Sequence, residues 1–337
     1  MNYNMNIVTV FTSFANKGGA EDMAISIALG LNQEGKPIIF HQDPIVCEHY
    51  RNRNVEFQKL NIKNIYRQHK HGAIFLSHHR KTTTLLILIS KLIFGGRLKI
   101  IHVAHNTFSS LRNLTKFPLH NIAVSNTVKE NMISYFKLRE DSIKVIYNGI
   151  ADCYKPTLNN QRINEDTINI LFLGRIDPVK RQVEFVKATK GNLSKNIKIY
   201  FGGTGKDLDN LKNAINNDPQ YILLGLIDTF KELYKFDYIC LFSEKEGLPL
   251  SLIEGGMFHK PLITNDLPQC LEINTDGYSG YVTHSWDEVI ECINKLPPKT
   301  SPVYNILSNN SRSVFDRLFN YDIMIEKYRQ YIDSIDW

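Results

Sequence analysis

Cysteine is scarce and scattered. Cys47, Cys153, Cys240, Cys270 and Cys292 are five in number, lie far apart and form no CxxC pair, which argues against a disulfide framework or a cysteine zinc site and for reduced thiols. No apolar run approaches the roughly 20 residues that span a bilayer, and the N-terminus has no basic segment leading into an apolar one. The expectation is a cytoplasmic chain. Internal repeats and low-complexity tracts are also missing. At 43% hydrophobic and 22% charged residues, the composition is that of an ordinary globular chain, and 337 residues suit two domains, each with its own core.

The net charge of +6 conceals an asymmetry. Residues 1–155 hold 20 Lys/Arg against 10 Asp/Glu, and the remainder holds 20 against 24. Residues 50–100 alone carry eleven Lys/Arg and a single acid, Glu56. Such a block suits an anionic partner (membrane surface, phosphorylated lipid or nucleic acid), the alternative being a solvated basic face without a role.

The pattern along the chain is βα throughout. An apolar, β-branched run at Ile7–Phe14 leads through Asn16-Lys17-Gly18-Gly19 into a helical pattern from Ala20 to about Gln33, stopped by Gly35 and Pro37. Short buried strands follow at Ile38–Phe40, Ala73–Leu76, Ile100–Ala104, Ile122–Val124 and Ile143–Ile146. Helical segments at Thr82–Phe94 and Asn126–Phe136 lie between them, the second with Ser125 as N-cap. The polar stretch Ala151–Thr167, with Pro156, Asn159, Asn160, Gln161, Asn164 and Asp166, reads as a linker. The alternation then restarts, with strands at Ile168–Leu173, Ile197–Phe201, Tyr221–Leu224, Tyr238–Phe242 and Leu262–Thr264. Helical segments at Trp286–Leu296 and from Asp322 to about Ile335 close the chain. The reading is α/β, with two Rossmann-like doubly wound domains facing each other across a cleft at the carboxyl ends of their strands. Residues 1–155 form the first, 156–318 the second, and 319–337 a C-terminal helix that packs back on the first.

Function is therefore sought in strand-to-helix loops. Gly18-Gly19 sits where backbone N–H groups and a helix dipole meet a phosphate. It is not GxGxxG, so a dinucleotide site through Asp43 is poorly supported. In Gly174–Arg181, Arg175 and Lys180 could neutralise a diphosphate, with surface charge as the alternative. Gly203 and Gly205 in Gly202-Gly203-Thr204-Gly205 either admit a base or phosphate or simply make a tight turn. Asp207-Leu208-Asp209 resembles a DxD metal motif but stands at a helix N-terminus, where acids are favoured anyway. His105 ends a first-half strand. His78 and His79 have weaker claims, and with His69 and His71 they lack the companions of a metal site.

The stretch EGLPLSLIE, residues 246–254, carries two carboxylates eight residues apart across a turn that opens a helix. Gly247 gives the turn its freedom and Pro249 suits the first helical position. Helical geometry puts Glu254 between Leu250, Met257 and Phe258, on the apolar side. A carboxylate there needs donors, from a core cation, a backbone cap or a polyhydroxyl ligand.

Together these segments resemble glycosyltransferase family 4, the "glycosyl transferases group 1" enzymes of the GT-B fold. EGLPLSLIE resembles the family's EX7E motif, NKGGAEDMAISIALGL its GGAE-type opening, and NIAVSNTVKENMI through KVIYNGI the end of its first domain. ILFLGRIDPVKRQ resembles its phosphate-binding segment, and FGGTGKDLDNL, LLGLIDTFKEL and LFSEKEGLP through HKPLITND continue the likeness. The resemblance implies a retaining hexosyltransferase that needs no metal or other cofactor. It would move a hexose from a nucleotide diphosphate sugar, UDP-linked before GDP-mannose, to a glycan or lipid-linked glycan of a bacterial surface polysaccharide. On this reading Glu254 holds the ribose and Arg175 and Lys180 bind the diphosphate, while Gly18 and Gly19 approach the diphosphate or acceptor. Glu246, with the backbone of Gly247, Leu248 and Pro249 after it, orients the donor sugar. His105 contacts the sugar near its reacting carbon, Leu226 borders the base, and Gly203 and Gly205 line the nucleotide.

The resemblance also implies that the basic first domain takes the acceptor in peripheral contact with an anionic membrane, with no nucleic acid partner. Leu85–Phe94 reads as a buried helix or as an interfacial segment. Gly255 stands where the family usually has Ala, and Asp266-Leu267-Pro268-Gln269-Cys270-Leu271-Glu272 departs from the family's Gly-Gly-x-Pro-Glu-like text. Two other readings are a nucleotide-sugar epimerase on the same fold and a non-catalytic partner subunit.

Overall fold

A computed structural model describes residues 6–32, 35–43, 45–158 and 167–337. The chain divides into two compact units, Met1–Asn148 with Asp322–Trp337, and Gly149–Tyr321.

In the first unit, strands β1 (Ile7–Phe11), β2 (Ile38–His41), β3 (Glu56–Lys59), β4 (Ile74–Ser77), β5 (Lys99–Ala104), β6 (His120–Ala123) and β7 (Ile143–Val145) form one sheet in the order β3-β2-β1-β4-β5-β6-β7. Neighbours are parallel throughout. Helices α1 (Gly19–Leu31), α2 (Glu48–Arg51), α3 (Ile62–Lys70), α4 (Arg80–Ile93) and α5 (Asn126–Ser134) connect them. One cluster joins Val8, Val10, Phe40, Phe75, Leu86 and Ile100, and another Phe11, Phe14, Ala24, Ala28, Ile39 and Tyr50. Both faces of the sheet are thus covered, which is why its strands read as unbroken apolar runs. The polar β3 is an edge strand and carries no such signal.

Helix α4 resolves the ambiguity of Leu85–Phe94. Leu86 is buried and Ile87 and Ile89 pack on the core, while Leu88 and Leu92 face outward, Leu92 with 83% of its surface exposed.

The second unit repeats the scheme with β8 (Ile168–Leu173), β9 (Ile197–Gly202), β10 (Tyr221–Gly225), β11 (Tyr238–Leu241), β12 (Leu262–Asn265) and β13 (Gly280–Thr283), ordered β10-β9-β8-β11-β12-β13. All its neighbours are parallel. Its helices are α6 (Gln182–Thr189), α7 (Leu208–Ile215), α8 (Thr229–Glu232), α9 (Leu250–Met257), α10 (Pro268–Leu271), α11 (Trp286–Asn294) and α12 (Pro302–Val314). Strand β13 and helix α12 are additions to the sequence reading, as are β3, α2 and α3. In the linker stretch, Pro156–Leu158 is a 3-10 turn, and Asn159, Asn160, Gln161, Asn164 and Asp166 lie outside the described residues.

The last helix, α13 (Tyr321–Asp333), buries Met324, Ile325, Tyr328 and Ile332. The Arg329 guanidinium donates to the carbonyl of Gly30 in α1 at 2.7 Å. Among the described residues no helix is long and apolar enough to cross a membrane.

Candidate functional site

In an open parallel sheet, the loops part at the point where the strand order reverses, and a ligand can enter there. In the second unit that point lies between β8 and β11, flanked by the loops Gly174–Arg181 and Phe242–Pro249.

These loops are tied by backbone. The Glu244 N–H donates to the carbonyl of Val179 at 2.8 Å. Asp177 caps a 3-10 turn over Pro178–Lys180, its carboxylate accepting from the Val179 N–H at 3.2 Å. Arg181 ends the turn in the left-handed region at φ +59° and starts α6. Lys180 is therefore held by its chain on both sides, and its ammonium donates to the Glu246 carboxylate. The two side chains are only 19% and 11% exposed, so the pair is far less screened than a surface ion pair. Two of the residues read from sequence as ligand contacts thus contact each other. Arg175, beside them, is exposed and makes no ion pair among the described residues.

Four side-chain oxygens in this half of the unit accept no hydrogen bond. Ser243 Oγ, Asn265 Oδ1, Gln182 Oε1 and Gln269 Oε1 are buried without a hydrogen bond, although Gln182 donates its amide to the Arg175 carbonyl and Asn265 donates to the Ser243 carbonyl. Buried polar atoms normally find partners. These four acceptors are exceptions. Burial pushes the thiol of Cys270 in α10 upward, and the nearby Glu246 carboxylate adds to the shift.

Gly203 and Gly205 answer to the adjacent loop. A Cβ on Gly203, at φ +147°, would stand 2.0 Å from the Gly174 carbonyl oxygen, and one on Gly205 would stand 2.0 Å from that of Ile176. Backbone bonds from Gly174 to Gly202 (2.9 Å) and from Ile176 to Thr204 (3.0 Å) lace the two loops together. Glycine is required there because backbone packs on backbone. Leu226, beyond β10, is 80% exposed, and β9 and β8 separate its strand from the reversal point.

One feature of EGLPLSLIE differs from the sequence reading. Pro249 is the N-cap residue and the helix starts at Leu250, because the β-region backbone of Pro249 leaves its carbonyl as the first helical acceptor. Glu254 is half-buried on α9, three and four positions before the fully buried Met257 and Phe258. Gly247, Leu248 and Pro249 are buried, leaving Glu246 as the accessible part of the turn. At Gly255 a methyl would meet Leu262 Cδ2 at 2.9 Å and Ile239 Cγ1 at 3.0 Å. The larger side chains of β11 and β12 occupy the space that Ala takes in the family pattern.

In the first unit the order reverses between β1 and β4. Gly18 caps α1 without a side-chain bond, and its N–H is engaged by the Tyr50 hydroxyl at 3.1 Å. Glu21 and Asp22 occupy the first helical turn, so negative charge already stands where a phosphate was expected beside Gly18 and Gly19.

The loops after β4 and β5 hold His78, His79 and His105, and β5 itself holds His102. His78 Nδ1 lies 2.9 Å from His105 Nε2, their rings stacked at 5.2 Å. His102 Nδ1 meets the Thr83 hydroxyl at 2.7 Å. His79 caps α4, its Nδ1 accepting from the Lys81 N–H at 3.2 Å. Burial holds all four below the usual imidazole range, His79 and His105 at about 4 and His102 at about 3, with neighbouring cations and histidines adding to the effect. All are neutral at pH 7. The sequence reading ranked His78 below His105; the structure bonds them, and the signal was a histidine at the end of each of two adjacent strands. Among the described residues, no group of three His, Cys, Asp or Glu is placed to hold a metal.

Comparison with known proteins follows the same division. Residues 8–152 match the family model "Glycosyltransferase Family 4" and residues 156–313 match "Glycosyl transferases group 1". The chain belongs to glycosyltransferase family 4. Among family relatives, the O-antigen biosynthesis glycosyltransferase WbnH of Escherichia coli is 26% identical over 204 residues, which is 60% of this chain and 56% of WbnH. The chain thus spans little more than half the length of that relative. Among solved structures, HepE of Anabaena in complex with UDP superposes with a TM-score of 0.86 over 98% of this chain and 100% of HepE at 16% identity. A Rickettsia africae glycosyltransferase gives 0.81 over 99% and 100% at 17%. At these identities the superpositions establish the GT-B fold.

The neutral histidines give a pH prediction. An imidazole whose folded pKa lies below its unfolded value near 6.5 binds fewer protons folded than unfolded. It costs nothing above pH 6.5 and lowers stability as pH falls from there toward 4. His259 adds the same sign, whereas exposed His284, raised by its hydrogen bond to Asp266, opposes it. Unfolding free energy measured in urea should fall between pH 7 and pH 5, with each buried histidine approaching a slope of ~1.4 kcal/mol per pH unit. His102→Asn should flatten that slope whatever it does to absolute stability; an unchanged slope would contradict the assignment of His102 as a neutral, unprotonated group.

Proposed function

We propose that this chain is a retaining hexosyltransferase that uses a nucleotide diphosphate sugar, with the loops around Lys180 and Glu246 as its donor site. The observation that carries the reading is the half-buried Lys180–Glu246 pair at the strand-order reversal of the second unit, with Arg175, which makes no ion pair among the described residues, in the same loop as Lys180. A diphosphate entering there takes the Lys180 ammonium and the Arg175 guanidinium as counter-charges. Lys180 then exchanges a carboxylate for phosphate oxygens, and Glu246 is released to accept hydrogen bonds from sugar hydroxyls. As the glycosidic bond breaks, the same two cations stabilise the charge developing on the leaving diphosphate. No metal is needed for that neutralisation. The leaving phosphate takes the acceptor proton on the face from which it departs, so configuration is retained. Glu254 receives the ribose hydroxyls, and His105 the donor sugar.

UDP-sugars come first because HepE has been solved with UDP and with UDP-glucose, and GDP-mannose second. The resemblance to WbnH supports a glycan or lipid-linked glycan of a surface polysaccharide as acceptor.

Peripheral membrane contact belongs to the same proposal. Leu88 and Leu92 of α4 are exposed, with Leu114 at 72% and Leu119 at 80%. The Lys116 N–H donates to Thr84 at 3.0 Å and Arg80 donates to the Ser110 carbonyl at 2.7 Å, which brings the second leucine pair beside α4. Arg80, Lys81, Lys91, Arg112 and Lys116 lie in these same segments. Leucines ringed by cations suit an anionic lipid surface.

Two experiments test these parts. UDP should raise the melting temperature of the wild-type protein, and Arg175→Ala and Lys180→Ala should each weaken its binding by ~10-fold or more, as expected for loss of a charged hydrogen bond worth ~1.5–3 kcal/mol. Unchanged affinity in both variants, or rapid consumption of UDP-sugar without acceptor, would contradict the reading. The protein should also co-sediment with vesicles containing anionic lipid but not with neutral ones, and Leu92→Glu with Leu114→Glu should abolish this. Equal binding to both vesicle types would remove the electrostatic part of the proposal.

A further inference from the structure

We infer that His78 is a positioning residue that fixes His105 in its Nδ1–H tautomer, so that His105 meets a substrate oxygen as a hydrogen-bond donor and not as a base. The inference deepens the proposed role of His105 and rests on it for its catalytic meaning, though not for its structural content.

The geometry allows two arrangements. His78 Nδ1 and His105 Nε2 are 2.9 Å apart, and one of the two nitrogens carries the shared proton. If His105 donates, the proton of His78 must sit on its own Nε2. That atom is buried and has no hydrogen-bond partner, in a side chain that is only 3% exposed. The result would be an orphaned N–H in the protein interior, which is among the rarest of unsatisfied groups. If His78 donates instead, its Nε2 is left with a bare lone pair, and burial of an unused acceptor is the milder penalty. The second arrangement is favoured, and it assigns the remaining proton. With Nε2 of His105 accepting, the proton of His105 is on Nδ1.

The rest of the cluster agrees. Burial keeps both rings neutral at pH 7, so the pair shares one proton instead of repelling as two cations. The near-parallel rings, 22° apart, restrain the orientation of His105 as well as its tautomer. Its Nε2 is occupied by His78, so His105 cannot use that nitrogen to take a proton from an acceptor. Its Nδ1–H remains for an oxygen on the donor sugar or the departing group. This matches a reaction in which the leaving phosphate accepts the acceptor's proton, because such a reaction needs no protein base.

The test begins with the ligand-free wild-type protein, labelled with 15N at histidine. Long-range 1H–15N correlation spectra at pH 7.5 should show His105 with a protonated Nδ1 and a bare Nε2. His78→Leu removes the donor, and His105 should then shift toward the Nε2–H form. His78→Asn places an amide N–H near the position of Nδ1 and should restore the wild-type pattern. In a transfer assay, His78→Leu should lower kcat by ~10-fold or more, as for loss of an oriented donor at a developing charge. KM for the nucleotide sugar should change by less than about threefold, with His78→Asn recovering most of the rate. A wild-type spectrum showing His105 as Nε2–H would overturn the inference, as would an unchanged tautomer in His78→Leu. If His78→Leu fails to fold, the wild-type spectrum and His78→Asn still decide. The spectra are independent of any turnover, so a failure of the glycosyltransferase proposal is distinguishable from a failure of this one.

Discussion

The contact between Lys180 and Glu246 is the constraint on which the second unit's site depends. An ammonium and a carboxylate held mostly out of water each need a counter-charge, and without one the loops carrying them would pay for an uncompensated ion. Each supplies the other's. The backbone that holds them is itself overdetermined: Asp177 fixes the turn bearing Lys180, Val179 and Glu244 tie that turn to the neighbouring loop, and Gly203 and Gly205 let a third loop pack against the Gly174–Ile176 backbone. The pair therefore keeps the site formed while it is empty. In the proposed donor site a diphosphate competes with that carboxylate for Lys180, and Arg175, which makes no ion pair among the described residues, offers a second cation.

The first unit uses the same topological position with different chemistry. At the carboxyl ends of β4 and β5, beside the point where β1 and β4 part, four imidazoles stand neutral, organised by the His78–His105 contact and by hydrogen bonds to Thr83 and to the α4 backbone. Neutral rings attract no anion. They can hold a donor or an acceptor in a fixed direction, and burial keeps them neutral. The first unit thus carries an uncharged device at its strand ends and the second a charged one.

Much of this was legible in the sequence, for identifiable reasons. Central strands such as Ile168–Leu173 are covered on both faces and announce themselves as apolar runs, so the parallel architecture followed from pattern alone. Glu56–Lys59 did not, because an edge strand can be polar. The loops carrying Arg175, Lys180, Glu246 and His105 were found because a strand followed by a glycine or a charge cluster and then a helix is a local signal. The Lys180–Glu246 contact spans 66 positions, and no periodicity reports a pairing at that distance. The same holds for His78 with His105, and for Gly203, where a side chain would collide with the Gly174 carbonyl. Gly255 shows the limit of helical geometry: projection reports which side of α9 a residue is on, and not that a methyl there would meet Ile239 and Leu262.

The central claim is that the Gly174–Arg181 loop and Glu246 form a diphosphate site whose counter-ion is exchanged on binding. A crystal structure of the protein with UDP tests this most directly. The account predicts diphosphate oxygens within hydrogen-bond distance of Lys180 Nζ and the Arg175 guanidinium, with the Lys180–Glu246 contact broken or lengthened. UDP bound away from these loops, or bound there with Lys180 still paired to Glu246 and remote from phosphate, would contradict it.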